Sequence, residues 1–296
     1  MNKPILITGA TGFTGRFVCR EMLSRAKEFH CLVRRGSDTR WLLQQNIPIV
    51  VGDLNDPVSL ARAFGDYGTL VNVASIGFGA APNIISACLA SGIKRALFVG
   101  TTAVFTSLNA RSKGPRMEAE IAIRASGLDF TLLRPTMIYG SPADRNMVRL
   151  LRLIRYSPIV PVFGNGRSLQ QPVHVEDVAW AICEALYSLK TIGKEYNISG
   201  RSPLSFNEVI HTSCRALGRR PLVVHLPAKP MIFLLRALER CRLRLPIGSE
   251  QILRLNEAKS FDHDSARADF GYQPRGFAAG IKDEIRLLDA GLAFPK

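Results

Sequence analysis

Three glycines spaced three apart, Gly9, Gly12 and Gly15, follow a short apolar run and open a helical pattern. That arrangement suits one chemistry, the holding of a pyrophosphate against free backbone N–H groups at a helix N-terminus. Gly9 permits the tight turn, Gly12 lets phosphates approach the backbone, and Gly15 lets the helix pack close to the strand. Thr11 and Phe13 sit between the glycines and are read with them as cofactor contacts. The plainer alternative is a strand-to-helix turn with no ligand. The strand-like run Pro4 to Thr8 before it, and the apolar positions Phe17, Val18, Met22 and Leu23 after it, favour a dinucleotide site.

A second pair of residues bears on which dinucleotide. Phe29 to Val33 reads as the second strand, and Arg34 and Arg35 follow it. An acidic residue at this place would hold the ribose 2′-hydroxyl of NAD, whereas arginine suits the 2′-phosphate of NADP. The expected cofactor is therefore NADP, with NAD as the alternative. The plainer reading is that both arginines are solvated turn residues.

Further strands are expected at Ile47–Val51, Leu70–Ala74, Ala96–Val99 and Phe130–Leu133. Helical patterns lie between them: one opened by Asp56-Pro57, one over 81–91 and one near 115–125. This alternation predicts an α/β protein, a Rossmann-type doubly wound parallel sheet with right-handed crossovers. The alternation lapses after Gly140. Residues 144–155 read as a helix, 158–171 as a Pro/Gly-containing loop, and 205 onward as mainly helical. The expected division is a nucleotide-binding lobe over 1–140, with 172–199 returning to it. A smaller substrate-binding lobe is expected from 141–171 and 200–296.

The chain has 296 residues, 47% hydrophobic and 21% charged, enough for a full core and unlike a disordered chain. Six scattered cysteines form no Cys-x-x-Cys pair and read as reduced core residues of a cytoplasmic protein. The five histidines show no metal-ligand spacing, so no metal is expected. The net charge of +15 favours anionic partners. Basic residues interleaved with stacking aromatics are missing, as are helix-turn-helix and zinc-finger patterns, which argues against nucleic acid.

Together these segments resemble the short-chain dehydrogenase/reductase superfamily, in its extended and atypical branch often called NAD-dependent epimerase/dehydratase. The resemblance is carried by the glycine turn, Gly52-Asp53-Leu54, Asn72-Val73-Ala74, Leu133-Arg134-Pro135, Tyr139-Gly140, the segment Val173 to Ala179, and Phe270 to Pro274. It implies that Asp53 and Leu54 flank the adenine and that Ala74 lines the cofactor groove. It also implies that Thr101, after the fifth strand, orients a substrate oxygen. The family's Tyr-x-x-x-Lys pair departs here: matching Glu118 and Glu120 to the family's acidic positions puts Ser112 in the Tyr slot and Arg116 in the Lys slot. A serine hydroxyl is a poor proton relay at neutral pH, and arginine keeps its proton. Lys113, Tyr139 and His174 are the other candidate proton donors.

The resemblance implies an NADP-dependent oxidoreductase or epimerase with Thr101, Ser112 and Arg116 as its catalytic residues, Thr101 on the substrate oxygen and Arg116 near the nicotinamide ribose. The expected substrate is a small molecule, sugar-nucleotide-like or otherwise polar, with phosphorylated and lipid-linked compounds among the classes considered. The rival is a non-catalytic NADP(H)-binding sensor, scaffold or assembly factor, as in the atypical branch resembling a subunit of respiratory complex I. Residues 230–245 form an amphipathic helical pattern with Arg236, Arg240, Arg242 and Arg244 largely off its apolar side. The ordinary reading is a core-facing helix with a solvated basic face. The sharper one is peripheral contact with an anionic membrane, at its cytoplasmic side.

Overall fold

In a computed structural model, which describes residues 3–240 and 248–295, seven parallel strands form one central sheet. The first half alternates strand and helix: β1 (Ile5–Thr8), α1 (Phe13–Ser24), β2 (Phe29–Val33), α2 (Arg40–Gln44), β3 (Ile49–Val51), α3 (Pro57–Phe64), β4 (Thr69–Asn72), α4 (Ala81–Ala90), β5 (Arg95–Val99), α5 (Lys113–Arg124) and β6 (Asp129–Pro135). Next come β7 (Ile138–Tyr139), α6 (Met147–Tyr156), β8 (Ile159–Phe163), β9 (Leu169–Gln170), β10 (Val173–His174), α7 (Val175–Tyr187) and β11 (Lys194–Ile198). The chain ends with β12 (Leu204–Ser205), α8 (Phe206–Leu217), β13 (Leu222–Leu226), α9 (Ala228–Arg240), α10 (Ser249–Asn256), α11 (Asp264–Phe270) and α12 (Phe277–Asp289).

The sheet order is β11-β6-β5-β4-β1-β2-β3, with the chain crossing from one half to the other between β3 and β4. Such a reversal opens a crevice beyond the carboxyl ends of β1 and β4, where open α/β sheets bind ligands. Both faces are covered, which explains why the strands read as apolar runs rather than alternating patterns. On one face Phe17, Val18 and Met22 of α1 pack with Val178 and Ile182 of α7. On the other, Leu60 and Phe64 of α3, Ile84 of α4 and Ile123 of α5 pack together. Each such aliphatic or aromatic side chain is stabilised by about 1.5–3 kcal/mol through burial.

Local signals fix several boundaries. Asp56 accepts from the N–H groups of Val58 and Ser59, and Pro57 occupies the first turn of α3. Ser205 and Glu208 form a reciprocal capping box on α8. Asp144 lies outside α6 rather than within it, because its Oδ1 accepts from the amides of Asn146, Met147 and Val148. Residues 158–171 are not wholly a loop: β8 pairs in parallel with the distant β13, and β9 pairs with β12. Local periodicity carries no trace of partners so far along the chain.

The amphipathic helix is also shifted. It starts at Ala228, and residues 241–247, with Arg242 and Arg244, lie outside the described residues. From Ala228 to Glu239 no residue is buried, and Phe233 is 77% exposed. Of the apolar positions, Met231, Leu235 and Leu238 are half-buried and Leu234 is exposed, so the helix turns only part of its apolar side inward. Among the described residues no helix is long and apolar enough to cross a membrane.

Candidate functional site

The glycine turn is shaped by contacts that no side chain would allow. Gly9 has φ +73°, and a Cβ there would lie 2.6 Å from the Ala74 nitrogen. A Cβ on Gly15 would lie 2.1 Å from the Gly9 carbonyl oxygen, so α1 rests directly on the turn. Gly12, the N-cap of α1, has no side chain to occupy the first-turn amides, and no acidic residue stands in that turn. Those N–H groups and the positive end of the helix face outward together, the arrangement that receives phosphate. Thr11 and Gly12 are exposed at the mouth, while Phe13 is half-buried. The turn is tied to β4 from below: Thr8 donates to Asn72, whose amide donates to the Ala74 carbonyl.

Beyond the ends of β2 and β3 lies a cavity of about 700 Å³ lined by Arg34, Arg35, Ser37, Asp53, Ser59 and Arg62 among others. Arg34, Arg35 and Arg62 form no ion pair among the described residues. The neighbouring carboxylates are committed to backbone: Asp53 accepts from the Asn55 amide at 2.9 Å, and Asp56 caps α3. Asp38 is spent on Arg40, whose guanidinium holds it low, at about 2. Leu54 packs against the core under α3 and α4, and its carbonyl accepts from Asn83.

The other end of the groove belongs to β5 and α5. Arg134 on β6 makes a two-pronged pair with the buried Glu120, at 2.9 and 2.7 Å, which clamps α5 to the sheet. Thr101 lies just beyond β5, and its hydroxyl accepts from the Ala103 amide at 3.2 Å. Ser112 is the residue before α5 and caps none of its amides. Lys113 is turned away, its Nζ donating to the Thr106 carbonyl at 2.6 Å. Arg116, one turn further, lies against the loop after β4: its Cγ and Nε are 3.0 and 3.1 Å from where a Gly77 Cβ would stand. Burial first, and the Arg254 charge second, pull its pKa down.

Tyr139 and His174, two of the candidate proton donors, pair across β7 and β10 and lie at 1% and 2% exposure. The Tyr139 hydroxyl is packed against Gly280 of α12, not near solvent, and its ring stands edge-on to His174 and beside Phe277. Desolvation raises the Tyr139 pKa and pushes His174 down to about 3. His174 caps α7, its Nδ1 accepting from the Glu176 amide at 3.3 Å. Glu284 shares this cluster, donated to by the Gly140 amide, and burial raises its pKa to about 10. Asp144 Oδ2 and Glu284 Oε1 find no hydrogen-bond donor among the described residues, and both are satisfied when Glu284 keeps its proton and donates it to Asp144.

The structure thus gathers Gly9, Gly12, Gly15 and Ala74 at the strand ends, and Arg34, Arg35 and Asp53 around one cavity. Sequence reading missed Arg62, Ser59 and Gly77. Ser59 and Arg62 carried a signal, since helical spacing from the Asp56-Pro57 start puts both on one face. Gly77 carried none. No His/Cys/Asp/Glu group fit for a metal ion occurs among the described residues.

A family profile described as NAD(P)H-binding matches residues 9–187. Two relatives run nearly the full length. A ceramide reductase of Caulobacter vibrioides is 26% identical over 96% of this chain and 91% of its own. A 2-alkyl-3-oxoalkanoate reductase of Stenotrophomonas maltophilia is 25% identical over 98% of this chain and 99% of its own. Among solved structures, the UDP-glucose 4-epimerase of Thermotoga maritima, with UDP-glucose, superposes with a TM-score of 0.77 at 16% identity, over 98% of this chain and 99% of that one.

Proposed function

The chain belongs to the NAD(P)H-binding family, of the extended short-chain dehydrogenase/reductase and epimerase/dehydratase type, and from that premise we propose that it is an NADP(H)-dependent oxidoreductase of a small-molecule carbonyl or alcohol. The observation that carries the choice of cofactor is the cavity where Arg34, Arg35 and Arg62 form no ion pair with any described residue, its Asp53 and Asp56 being engaged by backbone amides. A ribose 2′-phosphate supplies the acceptors those three guanidinium groups lack. The pyrophosphate is assigned to the amides after Gly9 and Gly12, and the dinucleotide then runs past Ala74 to the α5 end. The fit rests on the Gly9 and Gly15 cradle, where any Cβ would fill the space.

NADPH supplies a hydride when bound. This chain's part is to hold the carbonyl beside Thr101 and to place the Arg116 cation near the oxygen on which negative charge develops. With Tyr139 and His174 buried elsewhere and Lys113 engaged, Ser112 and water are the groups left to pass a proton. Both full-length relatives are reductases by name, which favours net use of the cofactor over its recycling within one turnover.

A second reading is a non-catalytic NADP(H)-binding protein, favoured by Ser112 standing where the family carries tyrosine. Calorimetric titration with NADPH and NADH, beside loss of NADPH absorbance over a panel of ketones, ketoacids and sugar nucleotides, separates the two. The oxidoreductase reading expects NADPH to bind at least about tenfold tighter than NADH and to be consumed with some member of the panel. Tight NADPH binding without turnover establishes the second reading, and no binding of either coenzyme ends both.

A further inference from the structure

Two long stretches of the chain carry no acidic side chain. Residues 145–175 and 209–238 hold ten of the 39 Lys and Arg and none of the 24 Asp and Glu. They are distant in sequence, yet the fold joins them: β8 pairs in parallel with β13, and Leu151 of α6 shares a core cluster with Val209 of α8. Two thirds of the net charge of +15 is thereby concentrated on one lobe.

The packing of α6 turns this charge outward. Val148, Leu151 and Ile154 are buried, which leaves Arg149, Arg152 and Tyr156 on the opposite stripe, all exposed. Arg155 is the α6 arginine with an ion-pair partner among the described residues, Asp289. Gly218, at φ +62°, ends α8 in the left-handed region and releases Arg219 and Arg220 into solvent just before β13. Along the path between these two arginine pairs the surface is hydrocarbon. Tyr156 is 78% exposed, and Ile159 and Leu222, partners in the first rung of the β8–β13 ladder, are 47% and 64% exposed. The Leu222 amide donates to the Pro158 carbonyl at 2.8 Å, which holds that rung at the turn leaving α6. At the end of the second stretch, α9 exposes Lys229, Phe233 and Arg236 in the same manner.

Cations without acceptors beside exposed aliphatic and aromatic side chains mark a contact surface. A nucleic acid offers anions but nothing in which to bury Ile159 and Leu222. A bilayer offers both, anionic headgroups at the level of the arginines and acyl chains just beneath. Tyr156 suits the boundary, having an apolar ring and a polar hydroxyl. We propose that the exposed face of α6 and the adjoining β8–β13 rung dock peripherally on an anionic lipid bilayer. The inference stands apart from the cofactor assignment, because none of these residues lines the β2–β3 cavity or belongs to the glycine turn.

The full chain is floated on vesicles of phosphatidylcholine and phosphatidylglycerol in equal parts, and on vesicles of phosphatidylcholine alone. Wild type is expected on the mixed vesicles only, and should leave them as salt is raised. The fourfold variant Arg149→Ala, Arg152→Ala, Arg219→Ala and Arg220→Ala should lose affinity about 100-fold or more. Tyr156→Ser with Leu222→Ser should lose about tenfold while keeping the salt dependence. Removing as many exposed cations elsewhere, by Lys94→Ala, Lys190→Ala, Lys282→Ala and Arg286→Ala, should cost less than about threefold. Should the fourfold arginine variant melt early in urea, the separate pairs Arg149→Ala with Arg152→Ala and Arg219→Ala with Arg220→Ala take its place, each expected to cost about tenfold or more. Absence of wild-type flotation overturns the proposal, and if a single-stranded RNA oligonucleotide binds instead, the surface belongs to nucleic acid. Equal losses in the two fourfold variants overturn it too, since bulk charge then accounts for the binding.

Discussion

The two ends of the groove are made of different material. At the glycine-turn end the contact surface is backbone, and the nearby guanidinium groups of Arg34, Arg35 and Arg62 have no carboxylate partner among the described residues. At the α5 end most polar groups already hold one another: Thr101 the Ala103 amide, Lys113 the Thr106 carbonyl, Glu120 the Arg134 fork. Arg116 and Ser112 are the exceptions among the described residues. One end is thus defined by the absence of side chains and is sensitive to adding any atom. The other is defined by a few committed side chains and is sensitive to removing the right one.

The largest expected effect comes from adding atoms at the first end. Gly15→Val would drive carbon into the Gly9 carbonyl, 2.1 Å from its Cβ position, with only backbone able to give way. A loss of about 3 kcal/mol or more is expected in urea unfolding, together with loss of NADPH binding. Gly12→Ala, whose Cβ meets only the Gly9 oxygen at 3.2 Å, should leave stability nearly unchanged and weaken binding alone. If both variants behave alike, the turn is not the rigid cradle described.

Next in size is the guanidinium cluster. Arg34→Ala with Arg35→Ala should weaken NADPH by roughly 100-fold, taking each charge-assisted bond at about 1.5 kcal/mol. NADH should change less than about twofold in the same titration. Equal losses for both coenzymes would show that the arginines do not read the 2′-phosphate.

A smaller effect is expected behind the groove. Glu284 has its pKa raised from 4.5 to about 10, so the folded state prefers its protonated form. Its contribution to stability is complete below about pH 4.5 and is lost progressively as pH rises toward 10. Glu284→Gln should flatten that pH dependence and so gain on wild type from pH 5 to pH 9 in urea melts. Parallel pH profiles would refute the shared proton with Asp144.

The smallest change is expected from Tyr139→Phe. Its hydroxyl faces Gly280 within the α12 cluster rather than the groove, so turnover and NADPH affinity should stay within about twofold. A collapse of turnover with intact binding would reinstate Tyr139 as proton donor and erase the contrast between the two ends.

What could be read beforehand followed from locality. The βα repeat and the glycine turn are local patterns, and the seven-stranded parallel sheet follows from them through short right-handed connections. Pairings across long gaps were invisible: Ile159 beside Leu222, or Leu169 beside Ser205, leave no mark on the periodicity of either segment. The same holds for the groove. Arg34 and Arg35 are contiguous and announce themselves, whereas Arg62 joins them only when α3 packs beside β3. Tyr139 and His174 show the converse. Their residue types suggested proton transfer, but register against each other and burial under α12 turn them into packing and capping groups.

The strand β11 occupies an outer position of the sheet beside β6, although nearly sixty residues of chain separate them. During synthesis the apolar β6 therefore leaves the ribosome as an open, unpaired flank and stays so until residues 194–198 emerge. A fragment cut at residue 187, where the matched family profile ends, would keep that flank permanently bare. Such a fragment is expected to associate with itself through β6, because unpaired strand edges recruit other chains. The nucleotide-binding half is consequently not a module that can be trimmed at its apparent boundary: its last structural stave is supplied from downstream.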